Sequence, residues 1–126
     1  MKRIGNLFDA VVEPENLRLA FWKASRGKQD RPDQRAYAAR LEEEIAALRL
    51  GLLQGDYPVG DYTRLTVYDP KERVICAAAF RERVLHHALV NVCEPLVDCW
   101  LVFDCYACRV GKGQARAVRR AQAFAG

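Results

Sequence analysis

The sequence predicts an α+β domain that is mostly helical and carries one β-hairpin. Three observations support this. Apolar residues recur at steps of three and four over residues 14 to 54, and again from residue 80 to 101. Between these stretches, residues 61 to 68 (DYTRLTVY) alternate and are rich in β-branched and aromatic side chains, as a strand is. DPKE then supplies turn chemistry ahead of a second short run, RVICAAA.

The elements follow in order. Residues 6 to 54 read as helical. After a short apolar piece at 6 to 12, EPENLRLAFWKASRGK forms a helix. Pro14 suits its first position, Leu17, Ala20, Phe21 and Ala24 make one stripe, and Gly27 is placed to end it. The polar QDRP is a loop. A longer helix is expected from Pro32 to about Gln54, with Tyr37, Leu41, Ile45, Leu48 and Leu52 at steps of four, four, three and four. Gly55 ends it, and Glu42, Glu43 and Glu44 face water. The hairpin covers residues 61 to 79. Helical period returns over residues 80 to 101 with Phe80, Val84, Leu85, Ala88, Leu89 and Val92, and Pro95 either breaks that helix or starts another short one. Residues 102 to 113 read as a loop and 114 to 125 as a basic helix. The whole is expected to form a single partial domain over residues 1 to 126.

Composition narrows the function classes. A chain of 126 residues fits one small domain or a piece of a larger one. With 51% hydrophobic and 29% charged residues it has a globular rather than a disordered balance. No apolar run approaches the roughly 20 residues that span a bilayer. The start, MKRIGNLFDA, has no apolar stretch of the secretory kind, so a cytoplasmic protein is expected. There Cys76, Cys93, Cys99, Cys105 and Cys108 stay reduced, and most of them are expected in the interior.

Charge is unevenly placed. Residues 1 to 63 hold ten Lys/Arg and ten Asp/Glu, whereas residues 64 to 126 hold ten and six, so the whole excess of +4 lies in the second half. After Asp104 come Arg109, Lys112, Arg116, Arg119 and Arg120 and no acid. Such a stretch attracts polyanions, or lines a solvated helix face.

CYACRVGKGQ, residues 105 to 114, concentrates the candidate chemistry. Structural zinc takes four Cys/His ligands, usually as two close pairs. Cys105 and Cys108 are one pair, Cys93 and Cys99 are too far apart for a second, and His86 and His87 point about 100° apart on a helix. A redox pair would follow a strand within a βαβ unit, which is absent here. A phosphate-binding P-loop needs a different glycine spacing and a Ser or Thr after the lysine. Two glycines around a lysine at the start of a basic helix still suit a phosphate, or a plain turn. His86 and His87 have no nucleophile or carboxylate at useful spacing; His87 shares a polar line with Arg83 and Asn91. No catalytic residue and no metal site is assigned. Lys71 and Arg73 at the hairpin tip, with Arg81 and Arg83 opening the next helix, suit a polyphosphate or a solvated turn.

In order, these pieces resemble a known family. YDPKERVICAAAFRERVLHHALVNVCEPL followed by CYACRVGKG is similar to the fingers region of bacterial reverse transcriptases. It matches their basic hairpin, an Arg-Asp-Arg-like helix start, a His-Ala-Leu helix, a Glu-Pro, and a loop of the type Ser-Tyr-x-x-Arg-x-Gly-Lys-Gly. The opening NLFDAVVEPENLRLAFWKASRGK looks most like the enzymes of diversity-generating retroelements, with retron and group II intron enzymes as wider relatives. The likeness covers residues 5 to about 122 and is weaker from 28 to 50. Cys105 stands where the family has Ser or Thr, Gln114 where it often has Thr, and Glu82 where it has Asp.

The resemblance implies the fingers part of a right-hand RNA-directed DNA polymerase (a nucleotidyltransferase). The palm, with the carboxylates that hold two magnesium ions, is absent from this chain. The chain alone is therefore expected to be inactive and to hold no cofactor. Lys71 and Arg73 would hold the incoming deoxynucleotide triphosphate. Arg81, Arg83, Arg109, Gly111, Lys112 and Gly113 would contact the template. Implied partners are an RNA template, a DNA primer and the remainder of the polymerase, with room for an accessory protein or for self-association through the exposed palm-facing surface. The alternative is a non-catalytic RNA- or protein-binding module derived from a reverse transcriptase.

Overall fold

A computed structural model describes residues 3 to 126; Met1 and Lys2, at the start of the stretch read for a leader, lie outside the described residues. The expected class holds: the chain is mostly helical, with a single antiparallel hairpin. It divides into two compact units, Met1–Cys93 and Glu94–Gly126. The physical basis lies in the core, whose buried residues all fall between Val11 and Ala88.

The first unit opens with α1 (Leu7–Val11) and α2 (Pro14–Ser25). Pro14 occupies the first turn of α2, where its missing N–H would have had no helical partner anyway. Leu17, Ala20, Phe21 and Ala24 are all buried, as their spacing requires. The long helix expected from Pro32 is two: α3 (Pro32–Ala39) and α4 (Leu41–Gln54). The break falls at Arg40, whose φ of −124° and ψ of 33° leave the helical region. The residues just after it suit a new helix start. Glu42, Glu43 and Glu44 sit in the first turn of α4, where the positive end of a helix dipole favours carboxylates. At the far end Gly55 adopts φ 74°, its N–H reaching the Leu52 carbonyl at 3.3 Å and the Asp56 N–H reaching Gly51 at 3.0 Å. This is the left-handed stop that glycine permits.

The core gathers around three aromatic rings. Phe21 and Tyr37 stack at 5.6 Å, and Phe80 meets both edge-on at 6.2 and 5.4 Å. Leu17, Leu48 and Val84 are fully enclosed, so truncating Leu17 or Leu48 to Ala costs about 2–5 kcal/mol. The Tyr37 hydroxyl is buried with no hydrogen-bond partner among the described residues, and burial pushes its pKa up.

β1 (Tyr62–Tyr68) and β2 (Glu72–Ala78) pair in register from Tyr62 with Ala78 to Tyr68 with Glu72, leaving residues 69 to 71 as the turn. A two-stranded hairpin is marginal alone in water. This one is tied at its base. The buried Glu82 carboxylate accepts from the Gly60 N–H at 3.1 Å and from the Tyr62 hydroxyl.

α5 (Phe80–Trp100) runs unbroken through Pro95, which neither ends it nor starts another helix. Proline's φ is itself helical, and α5 bears the lost hydrogen bond and the crowding of the ring against the carbonyl four residues earlier. Phe80, Val84, Leu85 and Ala88 are buried as expected, whereas Leu89 is exposed. The second unit comprises the end of α5, the irregular residues 102 to 113 and α6 (Gln114–Ala125). None of its residues is buried. The expectation that most cysteines are interior also fails: Cys76, Cys99 and Cys108 are exposed, and Cys93 and Cys105 half-buried. Four of the five lie on the strand or in the second unit, where there is no core to receive them. No helix among the described residues is long and apolar enough to cross a membrane.

Candidate functional site

Two clusters of basic residues were singled out by sequence, and they differ in construction. The first is the hairpin tip. Lys71 lies in the turn, where the Asp69 N–H donates to the Lys71 carbonyl at 3.3 Å. Arg73 pairs with Val67 across the strands. Alternation puts Arg73 on one face with Leu65 and Ile75, and Glu72 on the other. Lys71 and Arg73 are exposed and have no side-chain hydrogen bond or ion pair among the described residues. Arg81 is exposed on the first turn of α5, and Arg83, one step on, is half-buried. Lys71 and Arg73 thus lie at the tip of the hairpin, and Arg81 lies at its base beside the buried Glu82.

The second cluster is the loop at residues 102 to 113, and its cations are spoken for. The Arg109 guanidinium donates through Nε to Asp98 Oδ1, and through Nη1 to the Val102 carbonyl at 3.0 Å and the Cys105 carbonyl at 3.2 Å. Only 14% of its side chain is exposed. Its hydrogen bond holds the Asp98 carboxyl below the usual carboxylate range. The Lys112 ammonium donates to the Phe103 carbonyl and lies over the rings of Phe103 and Tyr106, at 4.1 and 4.9 Å. Arg120 bonds Asp104 at 2.9 Å, lowering that carboxyl, and its guanidinium lies 4.5 Å from the Phe124 ring centre. Arg116 donates to the Gly111 carbonyl.

The glycines of this loop are needed for backbone shape. Gly111 has φ 71°, and Gly113 has φ 110° with ψ 174°, a region that essentially only glycine occupies. An added Cβ at Gly113 would meet open space, so the obstacle there is torsional and not a collision. The Gly113 N–H closes the loop onto the Tyr106 carbonyl at 3.2 Å.

No three His, Cys, Asp or Glu side chains converge on a point among the described residues. No protein-family model matches this chain, and neither does any curated protein.

Sequence reasoning singled out the cations and missed their counterparts. Asp98 and Asp104 read as ordinary polar positions, and Phe103 and Tyr106 as loop residues. A signal was present, since an acid eleven residues before a loop arginine can fold back onto it. Glu82 was noted as a departure from a family pattern, while its burial and its hold on the hairpin base came from the fold. It also lies 3.6 Å from His86 Nε2, one helical turn away, which corrects the expectation that neither histidine has a carboxylate at useful spacing.

Proposed function

We propose that this chain is the fingers part of an RNA-directed DNA polymerase. It holds an RNA template strand and the incoming deoxynucleotide triphosphate, and phosphoryl transfer takes place on a magnesium-bearing palm outside these residues. One observation supports this reading above others: the hairpin tip presents Lys71 and Arg73, exposed and unpaired among the described residues, on a clamped base. A triphosphate is the ligand such a tip suits, because an arginine fork and an ammonium together can meet several phosphate oxygens. In this reading Arg81 and Arg83 meet template phosphate, and Arg109, Gly111, Lys112 and Gly113 form the template-facing loop. Arg109 and Lys112 contribute by fixing the loop's shape. The reading implies a cytoplasmic protein of the diversity-generating retroelement type.

The test is photo-cross-linking of a deoxynucleotide triphosphate analogue to the chain, mapped by peptide mass spectrometry. Cross-links concentrated at residues 69 to 83 are expected, and cross-links confined elsewhere refute the assignment. A second reading, a non-catalytic module, draws on a different observation. The second unit leaves Trp100, Val102, Phe103, Val110 and Phe124 exposed, Val110 almost fully at 97%. Such a surface suits a protein: the rest of the polymerase, an accessory protein or another copy.

A further inference from the structure

On the first unit, bases from distant parts of the sequence converge on one stripe of α5. Arg83, His87 and Asn91 lie at steps of four, spanning roughly 12 Å at 1.5 Å per residue. The end of α2 and the loop after it lie along this stripe. At one end the Lys23 ammonium donates to the Asn91 side-chain oxygen at 2.6 Å. Asn91 is itself held, donating to Asn16 Oδ1 at 3.0 Å, while Asn16 donates to the Val11 and Ala88 carbonyls at 3.0 and 3.1 Å. At the other end Lys28 lies within the field of Arg83. Burial first, then Arg83 and Arg31, lower its pKa. His87 lies between the two ends. Its pKa is lowered by burial and then by Lys28 from the loop, Lys23 from α2, and His86 and Arg83 from α5 itself.

Lys28, Arg83 and His87 are all half-buried. Among the described residues no carboxylate forms an ion pair with Lys23, Lys28 or Arg83. Asp33 is the acid whose field reaches Lys28, and it is engaged with Arg31 at 3.7 Å and with the Gln34 N–H at 3.0 Å. Like charges held together and partly out of water repel one another, and an anion among them reverses that cost.

We propose that Lys23, Lys28, Arg83 and His87 form a site for clustered phosphates, those of a nucleic-acid strand or of a free polyphosphate, that tightens when His87 takes a proton. The site does not depend on the polymerase reading, which gives a role to Arg83 alone. At roughly 12 Å the stripe is long enough to face more than one phosphate. Burial first, and then the neighbouring bases Lys28, Lys23 and Arg83, disfavour the protonated ring. A bound phosphate reverses that field, so binding and proton uptake favour each other.

The experiment uses the 126-residue chain, titrated at pH 8 and pH 6 with a twelve-residue oligouridylate and, separately, with inorganic tripolyphosphate. Affinity is measured by calorimetry, and the His87 ring is followed by NMR with His86→Gln as the assignment control. Binding is expected to tighten at pH 6, and saturation to move the His87 titration upward. The double variant Lys28→Ala with Arg83→Ala is expected to lose about ten- to hundredfold in affinity. His87→Gln is expected to abolish the pH dependence. Lys28→Glu, a loop change that leaves the core untouched, serves if the double variant fails to fold, and it too should weaken binding. Tight binding of both probes assigns the site to any polyphosphate, and of the oligonucleotide alone to a strand. A His87 titration that does not move on saturation, or unaltered affinity in Lys28→Glu, overturns the proposal.

Discussion

At the hairpin tip Lys71 and Arg73 extend into solvent with no polar partner among the described residues, whereas in the loop at 102 to 113 Arg109 and Lys112 fold back onto Asp98, Phe103, Cys105 and Tyr106. Both stretches carry basic residues beside a turn, and both suit phosphate when read as sequence. The difference lies in what is within reach. A strand alternates its side chains, so Glu72 cannot easily serve Arg73. A loop curls, so Asp98 and two carbonyls surround one guanidinium. A cation that already has three acceptors shapes the backbone; one that has none is available to a ligand. The lesson is that residue type identifies a candidate, and the local path of the chain decides its use.

Four experiments can break or sharpen this contrast. The largest expected effect is on nucleotide use. In a chain that includes a palm, Arg73→Ala should lower catalytic efficiency about ten- to hundredfold, the loss of one charge-assisted contact. Arg73→Lys should restore only part of it, because an ammonium is a point charge and not a fork. Steady-state incorporation against nucleotide concentration measures this, and altered template affinity with unchanged nucleotide dependence would move Arg73 to the RNA track.

Next is Gly113→Ala. Any side chain is strained at that backbone position, so the loop should lose about 1–3 kcal/mol of local stability. Hydrogen exchange at the Lys112 and Gly113 amides reports it, and unchanged protection would show that the loop relaxes freely.

The salt dependence of RNA binding comes third. Each lost phosphate contact lowers the slope of log affinity against log salt by about 0.7–0.9. Changing Arg81 and Arg83 together to Ala should lower it by roughly 1.5 if both meet template phosphate, and Arg109 with Lys112, already engaged within the loop, by clearly less. Equal drops would erase the distinction between the two regions.

The smallest effect is on the pH dependence of the second unit. Arg109 and Arg120 hold the folded carboxyls of Asp98 and Asp104 below their ordinary values. The unfolded chain therefore binds protons first as the pH falls. The stabilisation is complete above the ordinary carboxylate value near 3.9 and disappears as the pH drops through the lower folded values. Protection of the loop amides should decline only below about pH 4. A decline centred near neutral pH would mean that other groups hold the loop.

Much of the fold was legible because its signals are local. Leu17, Ala20, Phe21 and Ala24 lie on one helical stripe whatever they pack against, and DPKE between two β-rich runs specifies a hairpin. The misreadings have physical causes too. Apolar spacing from Tyr37 to Leu52 is continuous, so it hid a break at Arg40, although three carboxylates just after it suit a helix start. Pro95 read as a boundary because proline lacks a donor, yet a helix can carry one missing bond. The cysteines read as interior by residue type, and they fall where the chain has no core.

The sequence by itself determined the class, the helical faces, the hairpin and the stop at Gly55. These depend on the period of side chains along one segment and on which residues tolerate a given φ. Only the tertiary structure decided which cations are free, that Glu82 clamps the hairpin base, and that Lys23 of α2 reaches Asn91 on the stripe of α5 that carries Arg83 and His87. Those outcomes depend on distances between residues up to some 70 positions apart, and such distances are set when the helices pack around Phe21, Tyr37 and Phe80.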